Sequence, residues 1–299
     1  MKTFFKISLV LVAFVLSASN SSASESTPST ITIGFLPGGD IETVKKGSFE
    51  IAKALQDELH LPVKVYISKN YSGLVEAMKN KKVDFAFFTA MSYVAAEKEA
   101  GAKVLLKKVW TDPFYYSVVL TRADSKIKNL EMLQGKKVAF VDEKSTSGYL
   151  YPQVLFKKKK INFGKSQFSG SHSASVELLD KGDVDVIAVF ADDKKGLQNA
   201  YVKYSSQAHF KKIRPDKLVS VLWVSEPIPN DPFCVRQDFY DQYPKVTHNL
   251  MFALIDAFEK LKASPEVLGT IGAQALATAT QRQYEPVKEM VKELGLQSQ

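Results

Sequence analysis

"YSGLVEAMKNKKVDFAFF" spans residues 71–88, and "HSASVELLDKGDVDVIAVF" spans residues 172–190. The second begins 101 positions after the first, and at that offset Val75, Glu76 and the Val83-Asp84 pair fall on Val176, Glu177 and the Val184-Asp185 pair without a gap. Each copy carries apolar residues at helical spacing and then switches to a β-branched or aromatic run, so each reads as a helix that turns into a strand. The ungapped echo predicts two lobes of one topology. Two similar α/β lobes facing each other make a cleft.

Outward from the echo, strand-like runs recur at 31–36, 63–68, 115–121, 137–141 and 218–224, with helical patterns such as 43–59 between them. Strands alternating with helices argue for parallel α/β sheets. From Tyr243 onward the chain is expected to be nearly all helix. In open α/β sheets ligands bind beyond the carboxyl ends of the strands, where loops enter helix N-termini. By the echo, Tyr71 and His172 are equivalent positions at such starts, and the two Val-Asp strands end in "TAMSY" (89–93) and "FADDK" (190–194). All four segments are expected at the cleft.

A third helix start stands out. "KSTSGYLYPQVLF" (144–156) puts Ser145, Thr146 and Ser147 in a row ahead of Gly148, although one hydroxyl suffices as a cap. Helix N-termini present unpaired N–H groups and a partial positive charge, which suits oxyanions, and three hydroxyls add donors there. "SGSHSAS" (169–175) supplies a second polar start, where His172 can donate from a ring nitrogen. Of Tyr71, Tyr93, Tyr115 and Tyr116, half are expected to wall the cleft and half to sit in the core. The plainer reading of a Ser/Thr cluster is capping and turn chemistry alone.

Residues 1–23, with Lys2 and Lys6, an apolar stretch from Ile7 to Leu16 and small residues up to Ala23, have the three-part pattern of a cleavable secretory signal. No cysteine follows that stretch to carry a lipid; Cys234 is the sole one, so no internal disulfide can form. The leader takes two of 40 basic residues and none of the 32 acidic ones, so the net charge falls from +8 to about +6. That excess suits an anionic ligand. The "KKKK" run at 157–160 reads as the solvated end of a helix, and no nucleic-acid partner is expected for an exported chain. A serine hydrolase using Ser147 and His172 is the competing reading, but the Gly-x-Ser-x-Gly elbow is missing. The four histidines, at 60, 172, 209 and 248, have no metal-ligand spacing, and there is no phosphate loop of the Gly-x-x-x-x-Gly-Lys type. No cofactor and no metal are expected.

Four stretches taken together, "NYSGLVEAMKNKKVDFAFFTAMSYV", "STSGYLYPQVLF", "SGSHSASVELLDKGDVDVIAV" and "WVSEPIPNDPFCVRQDF", resemble in order and spacing the substrate-binding proteins of phosphonate, phosphite and phosphate ABC transporters. The resemblance covers about residues 31–290. It implies a two-lobed periplasmic binding protein, type II-like, that closes on its ligand by a hinge. Lobe one would comprise 30–118 plus 222–299 and lobe two 119–221, with crossings at "FYYSVVLT" (114–121) and "VLWVSEP" (221–227). It further implies that Ser145, Thr146, Ser147 and His172 hold a phosphorus oxyanion and that Tyr71 and Tyr115 are aromatic contacts from the first lobe. Asp192 is the nearest match to the acid that meets an amine in relatives binding aminoalkyl phosphonates, with Asp231 of "IPNDP" as a second. The expected protein is a periplasmic, non-catalytic monomer whose partners are a small phosphonate-like anion and an inner-membrane permease. Phosphonate, phosphite and phosphate are left open as ligands.

Overall fold

The structure, a computed structural model, describes residues 27–36, 41–110, 114–191 and 219–296. The signal sequence and Asp192, with the rest of "FADDK" after Ala191, lie outside the described residues. In chain order the strands are β1 (Ile31–Phe35), β2 (Val63–Ile67), β3 (Phe85–Phe87), β4 (Lys103–Val109), β5 (Phe114–Arg122), β6 (Lys137–Phe140), β7 (Lys165–Phe168), β8 (Val186–Ala191), β9 (Val219–Val224), β10 (Ile228–Pro229), β11 (Pro232–Val235) and β12 (Ala275–Thr278). The α-helices are α1 (Ile41–Leu59), α2 (Tyr71–Lys79), α3 (Ala90–Ala100), α4 (Tyr151–Lys159), α5 (His172–Lys181), α6 (Gln237–Gln242), α7 (Pro244–Leu261), α8 (Pro265–Ile271) and α9 (Glu285–Glu293). No described helix is long and apolar enough to cross a membrane.

The strands form two mixed sheets, one ordered β12-β4-β11-β3-β1-β2 and the other β10-β5-β8-β6-β7, with β9 also paired to β5. The echo in the sequence is an echo in topology. β1 lies parallel between β2 and β3, and β6 lies parallel between β7 and β8. The repeated Val-Asp pair has the same task in both lobes. Asp84 accepts the Thr32 amide at 2.9 Å while its own amide donates to Thr32. Asp185 does the same with Lys137, accepting at 2.8 Å. Each carboxylate thus ties the strand after the helix to the central strand, and the preceding valine is buried.

Packing follows from periodicity. α1 buries Val44, Ile51 and Leu55, and α7 buries Leu250, Leu254 and Phe258, against Ile31, Ile33 and Phe85 of the first sheet. Each such side chain contributes roughly 1.5–3 kcal/mol of burial. In the second sheet Ile187 and Val189 face one apolar cluster while Val186 and Ala188 face another, so β8 is covered on both sides and reads as an unbroken apolar run. A further cluster joins Leu74, Met78 and Tyr93 on the first-sheet side to Leu150 and Tyr151 on the other, an apolar seam between the lobes.

The expectation of an almost wholly helical C-terminal third is corrected by β12, which pairs antiparallel with β4 from Ala275↔Val109 to Thr278↔Leu106. "ALAT" carries no β-branched run, and it is extended because β4 offers it an open edge. Both expected crossing segments are largely strand. β5 and β9 pair side by side in the second sheet, Ser225 donates to the Ser117 carbonyl, and the chain returns through 225–231 to β11 in the first sheet.

Candidate functional site

A cavity of about 310 Å³ opens between the two sheets. Tyr71, Tyr115, Ser145, Thr146, Ser147 and His172 all line it, as do Thr89 and Phe190 from the ends of the two echoed strands. Six of the seven residues singled out from the sequence therefore line one cavity. The seventh, Asp192, is outside the described residues.

The three hydroxyls of 145–147 diverge. A single π-turn, Thr146–Leu150, precedes α4, so that the Leu150 amide reaches back to the Ser145 carbonyl at 3.0 Å. Such wide turns recur at functional sites. The Ser145 hydroxyl caps the turn by accepting the Gly148 amide at 3.1 Å. The Thr146 hydroxyl accepts the Met91 amide from α3 at 2.8 Å, a bond between the lobes, and also meets the Tyr115 hydroxyl. Ser147 is anchored through its carbonyl, which accepts the Ser117 hydroxyl at 2.6 Å, and the residue lines the cavity. Gly148 is needed for packing: a Cβ there would lie 2.4 Å from Val141, so its close approach is to the end of β6.

α5 starts in the same way. Ser171 caps it by accepting the Ala174 amide at 3.1 Å, and the Ser169 hydroxyl pairs with that of Ser175 at 2.7 Å. His172 is thereby presented on the first turn, its ring edge-on to Phe190 with centroids 4.9 Å apart. From the first lobe, Asn70 caps α2 by accepting the Gly73 amide at 2.7 Å, which brings Tyr71 to the cavity.

The charges are set by burial. The Tyr71 and Tyr115 hydroxyls are held well above the ordinary phenol range, first by burial and then by the Asp231 carboxylate. Both therefore remain O–H donors at any physiological pH. Burial also pushes up the Asp231 carboxyl, and the ion pair with Lys108, 3.5 Å away, opposes that shift. At the interlobe contact burial raises the Asp142 carboxyl, against the pull of the Lys144 amide at 2.8 Å and the Tyr71 amide. Ser72 donates to Glu143 at 3.0 Å and Thr89 to the Lys144 carbonyl at 2.9 Å, so the loop after β6 is held to the starts of α2 and α3.

Tyr93 and Tyr116 are core residues: Tyr93 packs on Tyr284 and donates to Glu97, and Tyr116 belongs to the second-sheet cluster. Cys234, on β11, is also fully buried. Lys108, Trp110, Phe35 and Phe87 line the cavity and were missed in the sequence. Only Lys108 left a trace, as a charge in the otherwise strand-like "KVLLKKV". Hydroxyls, helix-start amides and an imidazole converge here, a donor set fitted to hold an anion.

A family model described as "ABC transporter, phosphonate, periplasmic substrate-binding protein" matches residues 33–284. The chain is 34% identical over 188 residues to the "Phosphate-import protein PhnD" of Mycolicibacterium smegmatis, an alignment spanning 58% of either chain. It is 24% identical over 278 residues to the "Phosphonates-binding periplasmic protein" of Escherichia coli, covering 89% of this chain and 77% of that one. Among solved structures, PhnD1 from Prochlorococcus marinus in complex with methylphosphonate superimposes with a TM-score of 0.75 at 21% identity, covering 90% of this chain and 99% of the other.

Proposed function

Because the chain belongs to the periplasmic substrate-binding proteins of phosphonate ABC transporters, we propose that it captures a phosphonate-like oxyanion in the interlobe cavity and delivers it unchanged to an inner-membrane permease. The observation that carries this reading is the meeting of Tyr71, Tyr115, Ser147 and His172 around one cavity, reached from both sheets. The hydroxyls and the imidazole would donate to the oxyanion together with amides of the helix starts. The lobes, expected as 30–118 plus 222–299 and 119–221, would close about the stretches that join the sheets, with β5, β9 and β10, and so Tyr115, carried by the second sheet. Closure is favoured because each lobe supplies donors, so the ligand binds the closed state better than the open one. The protein would act as a monomer and without turnover.

Calorimetry with phosphate, phosphite, methylphosphonate and sulfate tests this. At least one phosphorus oxyanion should bind the parent. Ser147→Ala and His172→Ala should each weaken it by roughly tenfold to a hundredfold, since a hydrogen bond to a charged group is worth about 1.5–3 kcal/mol. Unchanged affinity in both variants would falsify the site assignment.

A further inference from the structure

The cavity also holds one cation and one anion in contact, close to Tyr71 and Tyr115. Lys108 Nζ lies 3.5 Å from Asp231 Oδ2, with only 16% and 24% of the two side chains exposed. The Lys108 amide also donates to the Asp231 carbonyl at 3.0 Å, and the pairing of β11 with β4 places both residues at one spot. Phe35, Phe87, Trp110 and Ile271 give the same cavity an apolar part, beside the polar Asn230 and Thr270. Lys108 Nζ also sits 5.7 Å from the centre of the Phe87 ring. At about 310 Å³ the cavity has room for a substituent beyond a tetrahedral oxyanion.

Asp231 alone would set a carboxylate beside the hydroxyls of Tyr71 and Tyr115, where it would repel the oxyanion and attract any ammonium group on the ligand. Lys108 cancels that charge. We propose that the Lys108–Asp231 pair makes Lys108 the specificity-determining residue of the cleft, selecting phosphonates with uncharged alkyl or aryl substituents and rejecting ω-ammonium ones. An incoming ammonium meets a fixed like charge beside Asp231, whereas an alkyl group meets aromatic faces. This inference rests on the oxyanion reading above and adds the substituent class.

The matched pair of propylphosphonate and 2-aminoethylphosphonate, nearly equal in size, isolates the charge. Calorimetry is run at a pH where both phosphonate groups are dianionic, with methylphosphonate as the reference. The parent should bind propylphosphonate at least tenfold more tightly than 2-aminoethylphosphonate. Lys108→Met should erase or reverse that preference, and Asp231→Asn, which leaves the lysine unopposed, should widen it; the second variant serves if the first does not fold. Equal affinities in the parent, a preference that survives in Lys108→Met, or one that shrinks in Asp231→Asn would each overturn the proposal while methylphosphonate binding leaves the oxyanion reading intact. A parent that binds none of the three ligands overturns both.

Discussion

Ser145 accepts the Gly148 amide, Thr146 accepts the Met91 amide from the other lobe, and Ser147 reaches the cavity. The surplus of hydroxyls at one helix start is thus divided between a cap and a bridge, with Ser147 beside them on the cavity. Asp142, one turn earlier, shows how burial acts on a single group here. Its carboxyl is raised above the ordinary value of 3.8 chiefly by desolvation. A carboxyl raised in the folded state holds its proton more tightly there than in the unfolded chain. Its contribution to stability is therefore greatest below the ordinary carboxylate range and is lost as pH rises through the raised folded value. Asp142→Asn, which keeps an acceptor for the Lys144 and Tyr71 amides, should melt at a higher temperature than the parent at neutral pH. The gap should close as pH falls below the ordinary carboxylate value. Melting curves from acid to neutral pH read this directly, and a gap that widens in acid would refute it.

At the scale of elements, the first lobe depends on how closely α1 approaches α8. A Cβ at Gly47 would lie 2.2 Å from the Glu266 carbonyl oxygen and 2.3 Å from the Thr270 hydroxyl. Backbone cannot move aside as a flexible side chain can. Gly47→Ala should therefore destabilise the fold by about 1–3 kcal/mol despite the better helix propensity of alanine, a loss measurable as a lower denaturation midpoint. Helix starts are the other recurrent device: Asn70, Thr89, Ser145 and Ser171 each accept an amide at the entrance to a turn that opens on the cavity. Capping explains why those polar residues stand there, and it also orients the next residue. Tyr71 and His172 each follow directly after a cap.

For the whole molecule, the lobes are held together by bonds that a hinge motion would break: Met91 to Thr146, Thr89 to Lys144 and Ser72 to Glu143. Thr146→Val keeps the shape of the side chain but leaves the Met91 amide without its acceptor. A buried amide left unpaired costs about 1–3 kcal/mol. If the bond is made only on closure, the variant should bind whichever phosphorus oxyanion binds the parent roughly tenfold or more weakly, with the same ligand-free melting temperature. Equal losses in both would mean that the bond supports the fold itself.

The helix–strand units, the two-lobe plan and the polar helix starts at Tyr71, Ser145–Ser147 and His172 were legible along the chain, because periodicity, caps and the Val-Asp echo are local signals; Tyr115 was singled out only by the family resemblance. What local signals cannot carry is pairing across long separations. β12 is extended only because β4 has a free edge, Thr146 bridges lobes only because α3 arrives there, and of two tyrosines that share one apolar cluster Tyr115 also lines the cavity while Tyr93 packs on Tyr284. Lys108 and Asp231 are 123 positions apart, and only the register of β4 against β11 brings their charges into contact at the cleft. Sequence by itself determined which groups could hold an anion; the tertiary structure decided which of them face it, because burial and charge contact are properties of the packed chain.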